Sequence, residues 1–507
     1  MMHLSIPDTK EFQDKDGTGT YTAFNIHING AFHCTVRYRQ LHHLHEQLKK
    51  QFGASTLPPF PPKRLLSLSQ AQLDERRISL ERYIQMVSQV PEIASCSIFN
   101  SFLLNAQQES MQQIEESVNL EVYLMNDHKL TVNITSTDQT EDVLEFFIPL
   151  FFCFYSLCVY MCVYVQVLVH AHILCVCIPY VFLIPLFSIS FQVIRKLQDF
   201  ESPYISLKAL NKDGPHCIVL RKSYWDMQYD NDLLNNRVTL SLLYTQAVND
   251  IEQQWIIATK DQFLQLSALQ QKGSKKDYLQ FVRTLKYYGY MHFRPCITDY
   301  PEKKTNVLIA VGNEELNFRI QTGKDQYKEG SFKITRMRCW RITTIYADRD
   351  NCSKKDMKPQ LEISFEYQLS RDKLQWINIK SDQAILISMC LEGMVDELVR
   401  KKKGKKIKKP QDRMHYTRGD YLNRDNTSPI ISNQNMSRTF SEPAGLYLYS
   451  ELLENDYQQS AINKAVDSVK KISDKFANVS FKASRDGQNI QSVLENNAFE
   501  EIGDDDL

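Results

Sequence analysis

Three short segments near the N-terminus place cations and an aromatic ring around a proline-rich loop. Arg37 and Tyr38 lie in the first segment, Lys63 follows a Pro-Pro-Phe-Pro-Pro run, and Arg76 opens the third segment. Guanidinium and ammonium groups bind phosphate oxygens, and an aromatic face stacks on a sugar-like ring. The residue types therefore predict a site for a phosphorylated ring, such as a lipid headgroup. The alternative for Arg76 is a solvated helix face, on which it pairs with the two acidic residues before it.

The surrounding sequence predicts the elements that hold these side chains. Apolar residues alternate with polar ones over 24–28 and 32–36, and Asn29-Gly30 between them is typical of a tight hairpin turn. Arg37 therefore leaves the end of a strand. Three leucines at helical spacing follow and predict a helix with one apolar face: Leu41, Leu44 and Leu48.

In this order and spacing, the three segments resemble the PX (phox-homology) domain. The resemblance implies that Arg37 holds the 3-phosphate of an inositol lipid and that Tyr38 stacks on the inositol ring. It also implies that Lys63 meets the 1-phosphate and that Arg76 contacts the remaining ring hydroxyls. The expected ligand is phosphatidylinositol 3-phosphate, the lipid of early endosomes.

Length and composition limit the class of protein. The 507 residues suffice for several domains, each able to bury its own core. Lys and Arg number 60 and Asp and Glu number 60, so no overall charge favours nucleic acid as a partner. The 12 cysteines form no disulfide-like framework, and the N-terminal residues lack the pattern of a signal peptide, which together predict the cytosol.

A second domain starts near residue 120. Alternating apolar residues at 120–124 and 130–134 predict a hairpin, and a helix is predicted to begin at about Thr140. This order and length are typical of the opening of a ubiquitin-like fold. The fold is then interrupted, because residues 146–194 contain no Asp, Glu, Lys or Arg.

Two interpretations of this uncharged segment remain open. It reads like translated T/G-rich and pyrimidine-rich DNA, so the favoured hypothesis is a retained intron or a gene-model error. The alternative is a membrane hairpin with passes at about 150–169 and 173–191. A metal site is not expected, because paired ligand spacings and polar support are missing around the candidate ligands Cys158, Cys162, His170, His172, Cys175 and Cys177.

The chain beyond residue 203 predicts a helical domain and then a largely β domain. Helical spacing places Leu240, Tyr244, Ala247, Ile251 and Trp255 on one helix and Tyr278, Phe281 or Val282, and Leu285 on another. Strands are predicted at 307–311, 316–320, 332–345, 361–367 and 376–379. A closing helix carries Ala384, Ile387, Leu391, Met394 and Leu398 on one face. Strands followed by one amphipathic helix are typical of a PTB- or PH-like sandwich.

Ubiquitin-like, helical and PTB-like parts in this order resemble a FERM module, and a PX domain joined to one resembles the PX-FERM sorting nexin family. The resemblance implies an α+β multidomain protein. The expected boundaries are a PX domain at 1–108, a ubiquitin-like lobe at 115–205 with the apolar insert at 146–192, a helical lobe at 206–292, a PTB/PH-like lobe at 293–400 and a mostly disordered tail at 401–507.

The resemblance also implies a cargo site. An extended peptide adds to a strand edge of a PTB-like sandwich, beside the closing helix. The expected cargo is an NPxY or NxxY motif in the cytoplasmic tail of a receptor, such as a lipoprotein receptor or an integrin. Carried over by position, Trp340, Val395 and Val399 line a pocket for an aromatic cargo residue, and Val399 stands where a Met is expected. Core packing is the alternative for both Val395 and Trp340. It is favoured for Val395, which lies on the apolar stripe of the helix, whereas for Trp340 a partly exposed groove position has at least equal weight.

The tail carries two further signals. Apolar residues at 462–476 recur at helical spacing, and the C-terminal residues resemble a family motif that engages the Retriever part of the Commander assembly: Phe499, Ile502, Gly503, Asp504, Asp505, Asp506 and Leu507. Common catalytic motifs are missing, so neither an enzyme nor a cofactor is expected. The prediction is a cytoplasmic adaptor, peripheral on early endosomes, that returns cargo to the plasma membrane. The alternative is a variant anchored by the uncharged segment.

Overall fold

A computed structural model gives the fold of the chain. It describes residues 2–13, 20–64, 68–144, 161–167, 192–210, 216–323, 326–345, 360–370, 373–404 and 493–496. These residues form three sheets and the helices packed on them, in the α+β arrangement expected from the sequence.

The N-terminal domain is a small sheet covered by helices. Its strands are β1 (Leu4–Ser5), β2 (Thr9–Gln13), β3 (Thr20–Ile28) and β4 (Ala31–Arg37), and β3 pairs with the other three. The helices are α1 (Tyr38–Phe52), α2 (Gln70–Gln89), α3 (Pro91–Ala94) and α4 (Ser97–Ser110). Asn29 and Gly30 have φ values of 52° and 82°, so the predicted hairpin turn is confirmed. The three predicted leucines of α1 are all buried in the core.

The second domain contains a mixed sheet of β5 (Ser117–Tyr123), β6 (Lys129–Thr135), β7 (Met161–Val167), β8 (Gln192–Lys196) and β9 (His216–Lys222). The strand order is β6-β5-β9-β7-β8, and β5 and β9 are parallel. Residues 140–144 are helical, and α5 (Pro203–Leu210) follows β8. Because β9 belongs to this sheet, the sheet extends past residue 205, where the sequence interpretation ended the lobe.

The uncharged segment contributes β7, which pairs with β8 and β9. At residues 161–167 the segment is therefore extended, whereas the membrane-hairpin alternative required a helical pass there. Among the helices that the structure describes, none is long and apolar enough to cross a membrane. Residues 146–160 and 168–191 of the segment, which include every candidate metal ligand except Cys162, lie outside the described residues, and the origin of the segment as an intron stays a prediction.

The third domain is helical. Its helices are α6 (Gln228–Leu233), α7 (Arg237–Glu252), α8 (Lys260–Gln271) and α9 (Lys275–Val282). The two predicted helices are α7 and α9, but both end earlier than expected. Trp255 follows a backbone reversal at Gln254, which has a φ of 57°, and Leu285 lies in a turn after α9.

The fourth domain is built on a nine-stranded sheet. Its strands are β10 (Met291–His292), β11 (Cys296–Thr298), β12 (Thr305–Gly312), β13 (Glu315–Gly323), β14 (Gln326–Lys333), β15 (Met337–Ile345), β16 (Gln360–Ser370), β17 (Lys373–Lys380) and β18 (Val493–Asn496). The closing helix is α10 (Ala384–Lys402). The strand predicted at 332–345 is wrong as one element, because a 3-10 turn at Ile334–Arg336 separates β14 from β15. The sequence did not predict most of β14, because it is a polar edge strand.

Residues at the end of the uncharged segment and directly after it connect two of the domains. Phe200 is buried in the core of the N-terminal domain, and Val193 is buried in the core of the fourth domain. Between them, Arg195 and Glu201 form a buried ion pair with N–O distances of 2.8 and 2.9 Å. The side chain of Gln383 also donates to the carbonyl of Val193 at 2.9 Å. The N-terminal and fourth domains are therefore packed against a shared segment.

Candidate functional site

The lipid candidates lie where β4 meets α1, beside the proline-rich loop and the start of α2. The Nη2 of Arg76 donates to the carbonyl of Pro62 at 3.1 Å, and its Cζ lies 4.5 Å from the ring centroid of Tyr38. The hydroxyl of Tyr38 donates to the carbonyl of Pro61 at 2.7 Å. Lys63 follows these carbonyls in the chain and is exposed. The structure therefore brings the three sequence segments together.

Arg37 ends β4 and packs on an aromatic ring that the sequence analysis missed. Its Cζ lies 3.3 Å from the ring centroid of Tyr21 in β3. The two-residue period of a strand could have predicted this contact, because Ala23 of β3 is paired with Arg37 of β4. Tyr21 lies two residues before Ala23, on the same face of β3. Arg37 is thus supported by the neighbouring strand, while Arg76 is supported by the loop.

Nearby carboxylates are engaged by other cations. Glu75 lies 3.7 Å from Arg64, and Glu81 lies 3.9 Å from Arg77. Arg76 instead contacts the ring of Tyr38 and a loop carbonyl, and burial raises the pKa of Tyr38, which keeps the phenol neutral. A neutral ring beside cations is suited to a phosphorylated ring, because the guanidinium and ammonium groups attract phosphate while the ring stacks without repelling it.

The cargo candidates lie between β15 and α10. The Nε1 of Trp340 donates to the hydroxyl of Ser388 on α10 at 2.9 Å, which ties the strand to the helix. Trp340 and Val395 are each 3% exposed and belong to the core of the fourth domain, and Val399 packs against that core while partly exposed. Of the two alternatives for Trp340, the structure therefore has core packing and not the partly exposed groove position.

The outer edge of β15 carries an extended segment of the chain itself. Strand β18 pairs with it in antiparallel fashion, so that Trp340 is opposite Asn496 and Thr343 is opposite Val493. The sequence analysis did not single out this segment. A signal was present, because Asn496 is followed three residues later by Phe499, a spacing similar to that of an NxxY motif.

The predicted tail motif from Phe499 to Leu507 lies outside the described residues, and so do residues 462–476. The basic run that begins at Arg400 is described as far as Gly404. Its first residues, Arg400 to Lys402, form the last turn of α10. The described residues therefore form two candidate sites, a cationic one in the N-terminal domain and a strand edge in the fourth.

Four protein-family models match the chain. They are the PX domain at residues 24–106, the F1 lobe of the sorting nexin 17/27/31 FERM domain at 180–225, the F2 lobe of the sorting nexin 17/31 FERM domain at 226–286, and the sorting nexin 17 FERM C-terminal domain at 289–399. Sorting nexin-17 from Danio rerio is 42% identical over 522 residues and covers 100% of both chains. The chain belongs to the sorting nexin-17 family. Sorting nexin-17 from Homo sapiens is 41% identical over 520 residues, again covering 100% of both chains.

Sorting nexin-31 from Homo sapiens is also similar, at 34% identity over 78% of this chain and 86% of that one. Membership in the sorting nexin-17 family, with its PX and FERM domains, supports the role of an endosomal sorting adaptor. A PX domain indicates binding to phosphoinositide membranes, and a FERM domain indicates binding to receptor tails. The matched families are non-enzymatic adaptors that associate peripherally with endosomal membranes.

Proposed function

We propose that this sorting nexin-17 family member is an endosomal cargo adaptor that binds two ligands at once. Its PX domain binds phosphatidylinositol 3-phosphate, and its third FERM lobe binds NPxY or NxxY motifs in receptor tails. Binding both together raises the effective affinity for cargo on endosomes above that of either contact alone. The adaptor then directs the cargo from the endosome to the plasma membrane. The domain boundaries expected from the sequence are part of this proposal, with the first FERM lobe extended to include β9.

The lipid part of the proposal rests on the contacts among the three N-terminal segments. Arg37 is held against Tyr21, Arg76 is held against Tyr38, and Lys63 is exposed beside them. We assign the 3-phosphate to Arg37, the 1-phosphate to Lys63, the ring face to Tyr38 and the ring hydroxyls to Arg76. Cations grouped around one aromatic ring favour a phosphorylated ring as the ligand.

The pairing of β18 with β15 carries the cargo part of the proposal. It demonstrates that an extended segment fits the outer edge of β15 in an antiparallel register. Backbone hydrogen bonds of this kind give a peptide affinity, and adjacent side-chain pockets give it selectivity. Trp340, Val395 and Val399 lie in the strand and helix that border this edge and are the proposed contacts of the aromatic cargo residue.

The decisive experiment measures binding of an NPxY peptide to the full chain by isothermal titration calorimetry. Trp340→Ala should weaken binding by about 30-fold or more, as expected for a buried aromatic contact at an interface. The matched control is Tyr327→Ala, because Tyr327 is exposed on β14 at the opposite edge of the same sheet. Trp340→Phe keeps an aromatic ring in the core and should still weaken binding. A folded Trp340 variant that binds the peptide as tightly as the control would contradict the cargo assignment.

The recycling step is assigned to the C-terminal residues Phe499, Ile502, Gly503, Asp504, Asp505, Asp506 and Leu507. Three adjacent carboxylates at 504–506 favour a basic docking surface, and the apolar Phe499 and Ile502 add a specific contact. The proposed partner is the Retriever part of the Commander complex. Removing residues 504–507 should abolish capture of purified Retriever and leave peptide and lipid binding unchanged.

A further inference from the structure

A cleft separates the PX domain from the third FERM lobe beside β15. Its PX wall includes Met2, His3 and Gln85, and its FERM wall includes Ile342 of β15 and Ile385 and Met389 of α10. The cleft contains about 430 Å³ of empty space, part of which is open to solvent. The proposed cargo groove and the PX domain are therefore neighbours in space, although hundreds of residues separate them in the chain.

The PX wall of this cleft is held in place by hydrogen bonds. The side chain of Gln85 in α2 accepts from the amide of Leu4 at 2.8 Å, and the amide of His3 donates to the Oδ1 of Asn29 at 3.0 Å. The amide of Asn29 donates back to the carbonyl of His3 at 2.8 Å. The N-terminal strand is thereby fixed to both α2 and the β3–β4 turn.

The β3–β4 turn also contacts the third FERM lobe. A Cβ added to Gly30 would lie 3.2 Å from the Cδ1 of Ile385, so the turn and the start of α10 are in close contact. Val193 and Phe200 also tie the PX domain and the third FERM lobe to one shared segment. The two walls of the cleft therefore belong to one packed arrangement.

The register on β15 identifies which peptide residue would face this cleft. Residues directly opposite in an antiparallel pair have side chains on the same face of the sheet. Ile342 is 5% exposed and lines the cleft. The position opposite Ile342 is taken by Leu494 in the β18 pairing. A cargo residue at this position would therefore point toward the PX wall.

We propose that the PX domain forms one wall of the cargo groove and binds an apolar cargo residue opposite Ile342, between Met2 and the α10 residues Ile385 and Met389. This inference rests on the proposed function, because it concerns the same peptide on the same strand edge. Met2, Ile342, Ile385 and Met389 offer apolar surface to such a side chain, while Arg341, Ser388 and Glu392 also line the cleft. Methionine adapts to different apolar shapes. Burial lowers the pKa of His3 to about 4, so the PX wall carries no charge from this side chain at neutral pH.

The test is a double-mutant cycle on the full chain. The peptides carry an NPxY motif with Leu or Ala at each of the four positions before the Asn. In the wild type, Leu→Ala at one position should weaken binding by about 3- to 10-fold, as for other apolar contacts in a groove. Met2→Gln keeps the length of the side chain but makes it polar. In this variant, the loss of affinity caused by Leu→Ala in the peptide should be about threefold smaller than in the wild type. Met111→Gln is the matched control, because Met111 directly follows α4 of the N-terminal domain and does not line the cleft.

A second variant guards against loss of folding. His3→Asp keeps the backbone contacts of residue 3 and places a carboxylate in the PX wall, so it should weaken the Leu peptide by about threefold or more and leave the matching Ala peptide unchanged. If folded Met2→Gln and His3→Asp variants show the same loss of affinity on Leu→Ala as the wild type, the proposal that the PX domain forms a wall of the groove is overturned. In that case the cargo proposal still stands if Trp340→Ala abolishes binding. If the wild type binds none of the peptides, the cargo proposal itself fails.

Discussion

The proposed lipid site and the proposed cargo groove of this adaptor are built in opposite ways. The lipid site consists of side chains, since Arg37 and Arg76 are each placed by an aromatic ring and Tyr38 is anchored to a loop carbonyl. The cargo groove consists first of backbone, because the edge of β15 pairs with an extended segment through its main chain. A side-chain site depends on a few residue types, whereas a strand edge accepts many sequences. The two sites should therefore respond differently to substitution.

The largest effect is expected from Arg37→Ala. Losing a charge-assisted contact with a phosphate should weaken binding to a soluble phosphatidylinositol 3-phosphate by about 30- to 100-fold. Isothermal titration calorimetry with the full chain measures this effect, with Lys50→Ala as the control, because Lys50 is exposed near the end of α1. The melting temperature establishes that the variant is folded, since Arg37 also packs on Tyr21. Lipid affinity equal to that of the control would show that Arg37 does not contact the phosphate.

A smaller effect is expected where the chain competes with cargo for the edge of β15. Leu494→Pro removes a backbone N–H from β18, and proline is poorly tolerated in a paired strand. The weaker pairing should raise the apparent affinity for an added NPxY peptide by about 3- to 10-fold, because more of the edge is available. Leu494→Val keeps the N–H and should leave the affinity unchanged. An unchanged peptide affinity in the proline variant would show that β18 and the peptide do not share the edge.

The contrast between the two sites also explains what the sequence could predict. The hairpin, the α1 leucines and the three cationic segments followed from local patterns, and the structure brings those segments together. Tyr21 was missed because its role depends on the register between β3 and β4. Such a register is set by pairing across the sheet, and it cannot be predicted from the type of any single residue.

The cargo groove was harder to predict because its geometry depends on distant parts of the chain. The closing helix and most strands followed from their apolar periods, but the polar β14 carried no such signal. The depth of Trp340 depends on its hydrogen bond to Ser388, 48 residues away. The placement of β18 on β15 depends on pairing with a distant strand edge, which the spacing from Asn496 to Phe499 does not specify by itself.

The fourth domain also contains a partly buried carboxylate, Glu397, whose raised pKa should make the stability of the protein depend on pH. Glu397 on α10 accepts from the amides of Trp225 at 3.0 Å and Asp226 at 2.9 Å, yet burial raises its pKa from 4.5 to about 7. The folded state therefore holds a proton that the unfolded state has lost between pH 4.5 and pH 7. Stability contributed by this group should fall as the pH rises through that window, by about 1 kcal/mol after allowance for solvent screening.

Glu397→Gln tests this pH dependence, because an amide cannot ionise. Melting temperatures of the full chain between pH 5 and pH 8 should decline less steeply for this variant than for the wild type. Asp396→Asn is the control, since Asp396 is the exposed neighbour on the same helix and should leave the slope unchanged. Parallel slopes for the wild type and the Glu397 variant would show that the carboxylate ionises at its ordinary pKa.

The smallest effect is expected at Val399, where the pocket rather than the edge is changed. Val399 is partly exposed and packs against the core that contains Trp340 and Val395, so a longer side chain has solvent-facing room to adapt. Val399→Met should strengthen binding of an NPxY peptide by about two- to threefold through added apolar contact. The melting temperature should change little, because the position is not enclosed on all sides. Calorimetry with the peptide measures the gain, and Val399→Ala should give a loss of similar size. If both variants bind as the wild type does, the aromatic cargo residue does not reach the end of α10, and the backbone edge alone sets the affinity.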